Sequence, residues 1–442
     1  MKKIKKINLI LIYSIPFFLI FSHSIADIIV VLTGLIFLTL LFLNKLPLTI
    51  DRLLKDKVIM SFFLFYLILI SSSFLSEFQS ESLKRSIPYI RFIFFVTALK
   101  YWLLVDKDSI KILVYSILAC LLFVCFDVIF QYFNYKYVSE IVSLNSKLNI
   151  SQENLIKKGF DIFGYASKDY SRFQGPFNDE YIAGGFILKL SPFLLLITFN
   201  ILKLRRNSFS KILIFLSATL IIFSIFITGD RAPFFMLILI SSLLILLFVN
   251  KKIILIFLSS LILIIFLLGI NLDKKQRYIN ESLSALGFQN NEFTLDTGYG
   301  HLFYSAIKIW IDKPLIGVGT KNYRKICDRD EYNFETKNNH QLCSTHPHNY
   351  VLELLSETGL MGLISFYLIF FYLVRDFELV KKILQKNLDH LNIKFSIISL
   401  FVILWPISTT GSILTNKSSI VLWFVFGIIY SAISIEKKSH FL

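Results

Sequence analysis

The sequence predicts an all-α, polytopic integral membrane protein of about twelve transmembrane helices with two long loops on one side. Three observations lead there. Of 442 residues, 55% are hydrophobic, with mean hydropathy +0.67 and 46 Phe. The apolar residues come in continuous runs of span length, without strand-like alternation. Most Lys and Arg fall in the short loops that join alternate runs, as the positive-inside rule expects. The net charge of +16 is thereby accounted for by topology. No basic stripe with interleaved aromatics stands outside the membrane, which argues against nucleic acid as a partner.

In chain order, spans are expected at 7–22, 26–43, 58–75, 87–104, 110–133, 181–202, 212–228, 233–249, 253–270, 350–374, 395–410 and 418–435. The basic start (Lys2, Lys3, Lys5, Lys6) precedes an apolar run that ends at Phe21-Ser22-His23 with no small-x-small site, so the first span is expected to stay in place. A cytoplasmic N-terminus puts Lys45, Arg52, Lys55 and Lys57 inside, then Lys100, Lys107 and Lys111. It also puts Lys203, Arg205, Arg206 and Lys211 inside, with Lys251, Lys252, Arg375, Lys381, Lys382, Lys386, Lys437 and Lys438. The chain then divides into N-terminal helices (1–133), a first outer loop (134–180), central helices (181–270), a large outer loop (271–349) and C-terminal helices (350–442). Long ordered loops tend to be functional. In the larger one, Tyr304–Ile311 reads as a short amphipathic helix, followed by the turn Asp312-Lys313-Pro314 and the bend Gly317-Val318-Gly319.

Cys120 and Cys125 lie in a span and read as core residues; Cys327 and Cys343 lie in the large outer loop. A disulfide is permitted outside the cytoplasm, and two free thiols are the alternative. No further thiolate or acidic cluster offers metal-ligand spacing, so no metal or other cofactor is expected.

Ionisable residues within spans are costly and mark pairs or wet cavities. Arg91, Asp127 and Lys189 are expected at similar depth near the outer side, with Gln131 one turn above Asp127. They either converge on one polar pocket or reach the head groups separately. Arg172, in Ser171-Arg172-Phe173-Gln174-Gly175-Pro176, and Arg231, in Gly229-Asp230-Arg231, lie on the outer side against the positive-inside trend. A guanidinium fork suits phosphate oxygens; a local Asp230 pair or a head-group contact is the plainer reading. His346-Pro347-His348-Asn349 sits where the large loop meets the span at 350–374. Imidazole takes a proton near neutral pH. His348 is the expected base, Asn349 could orient it, and His346 could simply shape the turn. Glu353 and Glu357, one and two turns into the span, could pair with a cation.

Four motifs in order carry a resemblance. They are Arg172-Phe173-Gln174-Gly175-Pro176-Phe177; Gly229-Asp230-Arg231; Trp310-Ile311-Asp312-Lys313-Pro314-Leu315-Ile316-Gly317-Val318-Gly319; and His348-Asn349 followed after nine residues by Gly359-Leu360-Met361-Gly362. The chain resembles the bacterial O-antigen ligase and polymerase-like membrane glycosyltransferases, the ligase branch in particular. The resemblance implies transfer of a glycan from undecaprenyl diphosphate to lipid A–core on the periplasmic face of the inner membrane, without metal or nucleotide. It implies that Arg172 and Arg231 hold the diphosphate and that His348 is the base. Many members carry an arginine where this chain has Tyr299-Gly300-His301, so His301, Lys321 or Arg324 is expected to substitute. A polymerase or protein O-oligosaccharyltransferase of the same fold is the alternative. A transporter fits less well, because transporters place their charges near the midplane.

Overall fold

The structure, a computed structural model, describes residues 2–46, 48–105, 108–144, 159–167, 171–178, 180–205, 208–247, 259, 262–263, 266, 272–289, 292–334, 343–375, 391–407, 409 and 411–439. The fold is all-α. The long helices are α1 (Lys2–Phe21), α2 (His23–Phe42), α3 (Lys57–Phe74), α4 (Gln79–Ser86), α5 (Arg91–Val105), α6 (Ser109–Leu144), α7 (Ala183–Arg205), α8 (Ser208–Thr228), α9 (Arg231–Leu247), α10 (Gly298–Asp312), α11 (Tyr350–Val374), α12 (Leu391–Ile403) and α13 (Asn416–Ser439). A two-residue hairpin, Phe288–Gln289 with Glu292–Phe293, is the small β element.

Among the described residues, nine helices are long and apolar enough to cross a membrane. They match nine of the twelve expected spans. Two more expected spans fall on the shorter helices α9 and α12, and the one at 253–270 lies almost wholly outside the described residues. Two boundaries differ from expectation. Helix α6 runs on to Leu144, so the first loop begins about three turns later than Asn134. Helix α12 stops at Ile403, short of 410, because the residue before Pro406 is driven out of the α region. Tyr304–Ile311 falls in the C-terminal half of the longer α10, which starts at the Thr297 cap, where the hydroxyl accepts from the Gly300 amide.

Helix α11 packs on α3, α13 on α5, and α7 between α8 and α12. Large apolar side chains also line the outside: on α2, Ile28, Leu32 and Leu35 are 42–56% exposed. A helix apolar on all sides is a helix for lipid. The inner polar ends are tied by Asp56, which caps α3 through the Val58 amide and pairs with Lys100 of α5 at 2.7 Å. Tyr430 of α13 also hydrogen-bonds Asp56.

The span that carries the histidine motif is broken. Gly359 sits at φ 66°, ψ −170°, a region essentially reserved for glycine. The break frees backbone groups that lipid cannot satisfy. The segment after α10 satisfies them. The amides of Val318 and Gly319 donate to the carbonyls of Ser356 and Glu357 at 3.0 and 2.9 Å. The amides of Leu360 and Met361 donate to the carbonyls of Pro314 and Leu315 at 2.8 and 3.2 Å. Ser72 of α3 adds a bond to the Glu357 carbonyl at 2.6 Å. The approach is so close that a Cβ on Gly359 would stand 2.3 Å from the Leu315 carbonyl. The two glycine motifs are therefore the two halves of one clasp, loop against broken helix.

The clasp is reinforced nearby. Cys327 and Cys343 are bonded, with Cα atoms 5.2 Å apart, tying the turn Tyr323–Ile326 to the chain that leads into His348. Closing a loop of this length is worth about 3 kcal/mol in the chain-entropy model.

Gly359→Ala should lower stability by at least about 2 kcal/mol, the cost of a non-glycine residue in that region plus the clash with Leu315. Thermal unfolding of the detergent-purified protein measures this, and an unchanged Tm would mean that the clasp does not hold the helix break.

Candidate active site

Arg172 and Arg231 lie far apart in the chain, and one turn brings them together. Gly229 takes φ 72° between α8 and α9, and a Cβ there would fall 2.2 Å from the Ser171 carbonyl. Only a glycine lets the turn seat so closely on the 171–174 segment. The Phe173 amide donates to the Thr228 carbonyl at 3.1 Å. Asp230 then receives the Arg172 guanidinium at 2.9 Å and the Gly184 amide at 3.0 Å. The plainer reading paired Asp230 with Arg231; the carboxylate instead takes Arg172, and Arg231 turns to the helical segment at 272–285. Its Nη1 donates to the Glu281 carbonyl at 2.7 Å and lies 4.0 Å from the Glu281 carboxylate.

Two cations that the motifs did not single out complete the cluster. Lys274 Nζ donates to the carbonyls of Ser171 and Ile227, at 2.7 and 2.6 Å. Arg277 donates to the Gly229 carbonyl at 3.0 Å and pairs with Glu281 at 2.6 Å. Four cations thus surround two carboxylates, Asp230 and Glu281. Burial raises the Asp230 carboxyl above its ordinary value, opposed by the neighbouring Arg172 charge. Arg172 also stacks over Tyr181 at 3.9 Å, and among the described residues its buried Nε has no acceptor. Among the described residues the cluster thus gathers four cations, with the Arg172 Nε donor to spare.

Beside it opens a cavity of about 440 Å³, lined by Arg231 together with Phe235, Leu239, Tyr299, Phe303 and Trp405. Arg231 is the charged residue in a largely apolar wall. The size falls within the range of ligand pockets. His348 meets this wall edge-on through Tyr299, ring centroids 5.9 Å apart. Asn349 secures the other side, its Nδ2 donating to the Pro406 carbonyl at 2.6 Å, next to Trp405.

His348 has φ 54°, a left-handed conformation uncommon for residues other than glycine. Such strain persists where the surroundings impose it and clusters at functional sites. The surroundings here are the disulfide on one side and the α11 cap on the other. His348 Nε2 lies 3.4 Å from Ser344 Oγ, and the His346 ring is 4.2 Å away, centroid to centroid. Burial lowers the His348 pKa below 6.5, opposed by the charge of Glu353. The ring is therefore neutral, and able to accept a proton, at neutral pH.

Several expected roles change. The Asn349 side chain caps α11, its Oδ1 accepting from the amides of Val351 and Leu352, so it fixes the helix start that carries His348 and does not orient the ring. His301 is fully buried, bonded to Asp296 at 3.0 Å and stacked on Phe334 at 4.0 Å, so it packs the start of α10. Lys321 is buried in a pair with Glu353 at 3.0 Å, with Ser412 on both, while its amide donates to Glu357 at 2.7 Å. Arg324 faces a different cavity, lined also by Arg91. None of the three expected substitutes stands with Arg172 and Arg231; Lys274 and Arg277 do. The shared pocket of Arg91, Asp127 and Lys189 does not form either. Arg91 pairs with Asp27 at 2.9 Å and Asn416 at 2.9 Å, and Asp127 accepts the Ile162 amide at 2.8 Å. Lys189 lies on α7, where its carbonyl bonds Ser399 of α12. Gln131, expected above Asp127, accepts the Gly175 amide at 3.0 Å and so anchors the Arg172 segment to α6.

Lys274 and Arg277 had a trace in the sequence: a basic group directly after the apolar stretch at 253–270, on the same side as Arg172 and Arg231. Their partners are backbone carbonyls, which residue identity does not reveal.

Residues 215–367, about a third of the chain, match the protein family described as O-antigen ligase. The match spans α8 to the middle of α11, and so takes in Arg231, Lys274, Arg277, the clasp and His348; Arg172 lies outside it. No curated protein matches the chain. Over that third of its length, the chain is similar to the O-antigen ligase family, and its apolar helices are those of a multi-pass membrane protein.

Proposed function

We propose that the protein transfers a glycan from undecaprenyl diphosphate to lipid A–core, at the periplasmic face of the inner membrane. The observation that carries this reading is the joining of a cation cluster, an apolar cavity and a neutral imidazole at one end of a membrane bundle. Both long loops and the basic-poor side belong to that same end under the positive-inside reading.

The residues divide the reaction. The apolar cavity takes the isoprenoid near its diphosphate, and Arg231 at its wall and Arg172 beside it bind the phosphate oxygens. Lys274 and Arg277 hold the turn and add positive potential. An acceptor hydroxyl donates its proton to the His348 ring as its oxygen forms a bond to the anomeric carbon. The bond from that carbon to the phosphate oxygen breaks, and its electron pair leaves with the diphosphate. Fixed cations aimed at that growing charge supply electrostatic stabilisation, often the largest catalytic contribution. Attack opposite the leaving group inverts the anomeric centre. His346, against His348, positions the ring or the acceptor.

Deletion of the gene followed by a lipopolysaccharide gel tests the reading. Loss of all capped bands with accumulation of lipid-linked polymer supports a ligase; a single-repeat cap means a polymerase, and unchanged bands exclude both.

Three variants or conditions probe the parts. His348→Ala should insert normally and lower kcat by about 10²–10⁴-fold, the usual contribution of a general base; wild-type turnover would remove the base assignment. Arg231→Lys should be strongly impaired, because a point charge cannot reproduce the two-pronged contact, and full activity would place the diphosphate elsewhere. The pH profile follows from the lowered His348 pKa. The neutral base form persists below pH 6.5, so kcat/KM should stay level through neutrality and fall on an acid limb below that value. A limb above pH 7 that is unchanged in His348→Ala would belong to another group.

A further inference from the structure

A second cavity, rich in cations, lies next to the clasp, where Lys321 follows Gly319. Its volume is about 380 Å³, and its wall holds Lys84 and Arg85 of α4, Arg91 of α5, Lys321 and Arg324. Asp27 is the one carboxylate in that wall, and it is already paired with Arg91 and bonded to Asn416. Lys321 is likewise satisfied by Glu353. Lys84, Arg85 and Arg324 are exposed and make no ion pair among the described residues. The acids nearest on the same surface are committed elsewhere: Glu81 to Lys325 at 3.1 Å and Glu77 to Arg329 at 2.7 Å. An adjoining cavity of about 370 Å³ shares Lys84, Arg85, Lys321 and Arg324, and the one carboxylate among its lining residues is Glu81, which pairs with Lys325.

Three unpaired cations gathered in a concave wall repel one another, and an anion relieves that repulsion. The concavity is too small for a whole lipid and of a size for a head group. Its floor is apolar, made of Val31, Pro88 and Leu414. Val31 belongs to α2, whose outward face carries the exposed Ile28, Leu32 and Leu35. An acyl chain lying on that face would bring its head group to the cations. The location also carries meaning for the reaction. Lys321 is in the wall of this cavity, and its ammonium holds Glu353, one turn after Asn349. Through that pair the cavity is tied to the first turn of α11, next to His348.

We propose that this cavity binds the phosphate groups of an anionic lipid head group, through Lys84, Arg85 and Arg324. On the glycan-transfer reading above, that lipid is the acceptor, held by its phosphates while its sugar hydroxyl reaches His348.

The test uses the full-length protein in phosphatidylcholine nanodiscs, with three probes: diphosphorylated lipid A, phosphatidylglycerol and inorganic phosphate. The triple variant Lys84→Gln/Arg85→Gln/Arg324→Gln removes exposed charges only, and an unchanged Tm confirms its fold; Arg324→Gln alone serves if the triple variant does not fold. Expected is binding of a phosphorylated lipid that weakens at least tenfold in the variant and weakens with added salt in the wild type. Competition by inorganic phosphate supports a head-group contact. Binding of lipid A without phosphatidylglycerol supports an acceptor site, and equal binding of both supports a general anionic-lipid site. Lipid binding that is indifferent to the substitutions and to salt overturns the proposal. Because binding is read without turnover, lipid binding in a protein that transfers no glycan would refute the transferase reading and leave this site standing. In an active preparation, the variant should raise KM for the acceptor at least tenfold with kcat and donor KM retained.

Discussion

The position of His348 depends on a helix that a membrane protein should not be able to break. Helix α11 interrupts its backbone bonding at Gly359, in a span where no water can repair the loss. The repair comes from Pro314–Gly319, which trades backbone hydrogen bonds with both sides of the break. The exchange has a consequence beyond saving the helix. It pins the large loop to α11 by main-chain contacts, and the same loop returns through the Cys327–Cys343 bond to His348. The imidazole is thus held from both chain directions, by the disulfide before it and the Asn349 cap after it. A left-handed φ at His348 is tolerable only in such a frame.

The arginine cluster follows the same logic on a smaller scale. A glycine turn packs on a neighbouring segment, and backbone carbonyls take up the nearby cations. Lys274 spans the Ser171 and Ile227 carbonyls, and Arg277 reaches Gly229. Carbonyl partners fix where these cations sit. Asp230 pairs with Arg172, whose guanidinium stacks over Tyr181, and Glu281 pairs with Arg277. Glycine turn, carbonyls and carboxylates together hold the four cations at one place.

Most of the helical plan was legible from hydropathy, because a span must be apolar over a length set by the bilayer. Its margins were not. Helix α6 runs on to Leu144, past the apolar run, and α12 is cut short before Pro406. Arg172, Arg231 and His348 could be singled out because arginines in loops expected to lie outside run against the charge rule and imidazole beside a span is uncommon. Their companions were not legible. Asn349 looked like an orienting amide, yet a polar residue just before a helix is first a cap. His301 was expected to substitute for an arginine, and the Phe334 that it stacks on is distant in sequence. Arg91, Asp127 and Lys189 share a depth, and depth says nothing about which face of its helix each occupies.

The buried pair Lys321–Glu353 gathers these threads. Glu353 has no exposure, and removing one member of such a pair leaves an uncompensated charge, at a cost of about 3–5 kcal/mol. A pair this expensive contributes little net stability over apolar packing, so its worth is in what it locates. Its members come from the large loop and the first turn of α11, and the Ser412 hydroxyl and Ile413 amide that complete it come from the approach to α13. Three separate parts of the chain are thereby fixed at a single point, and Lys321 of the pair also lines the cationic cavity that holds Arg324. A buried ion pair of this kind serves geometry before stability, so the large loop, the start of α11 and the approach to α13 keep their places together.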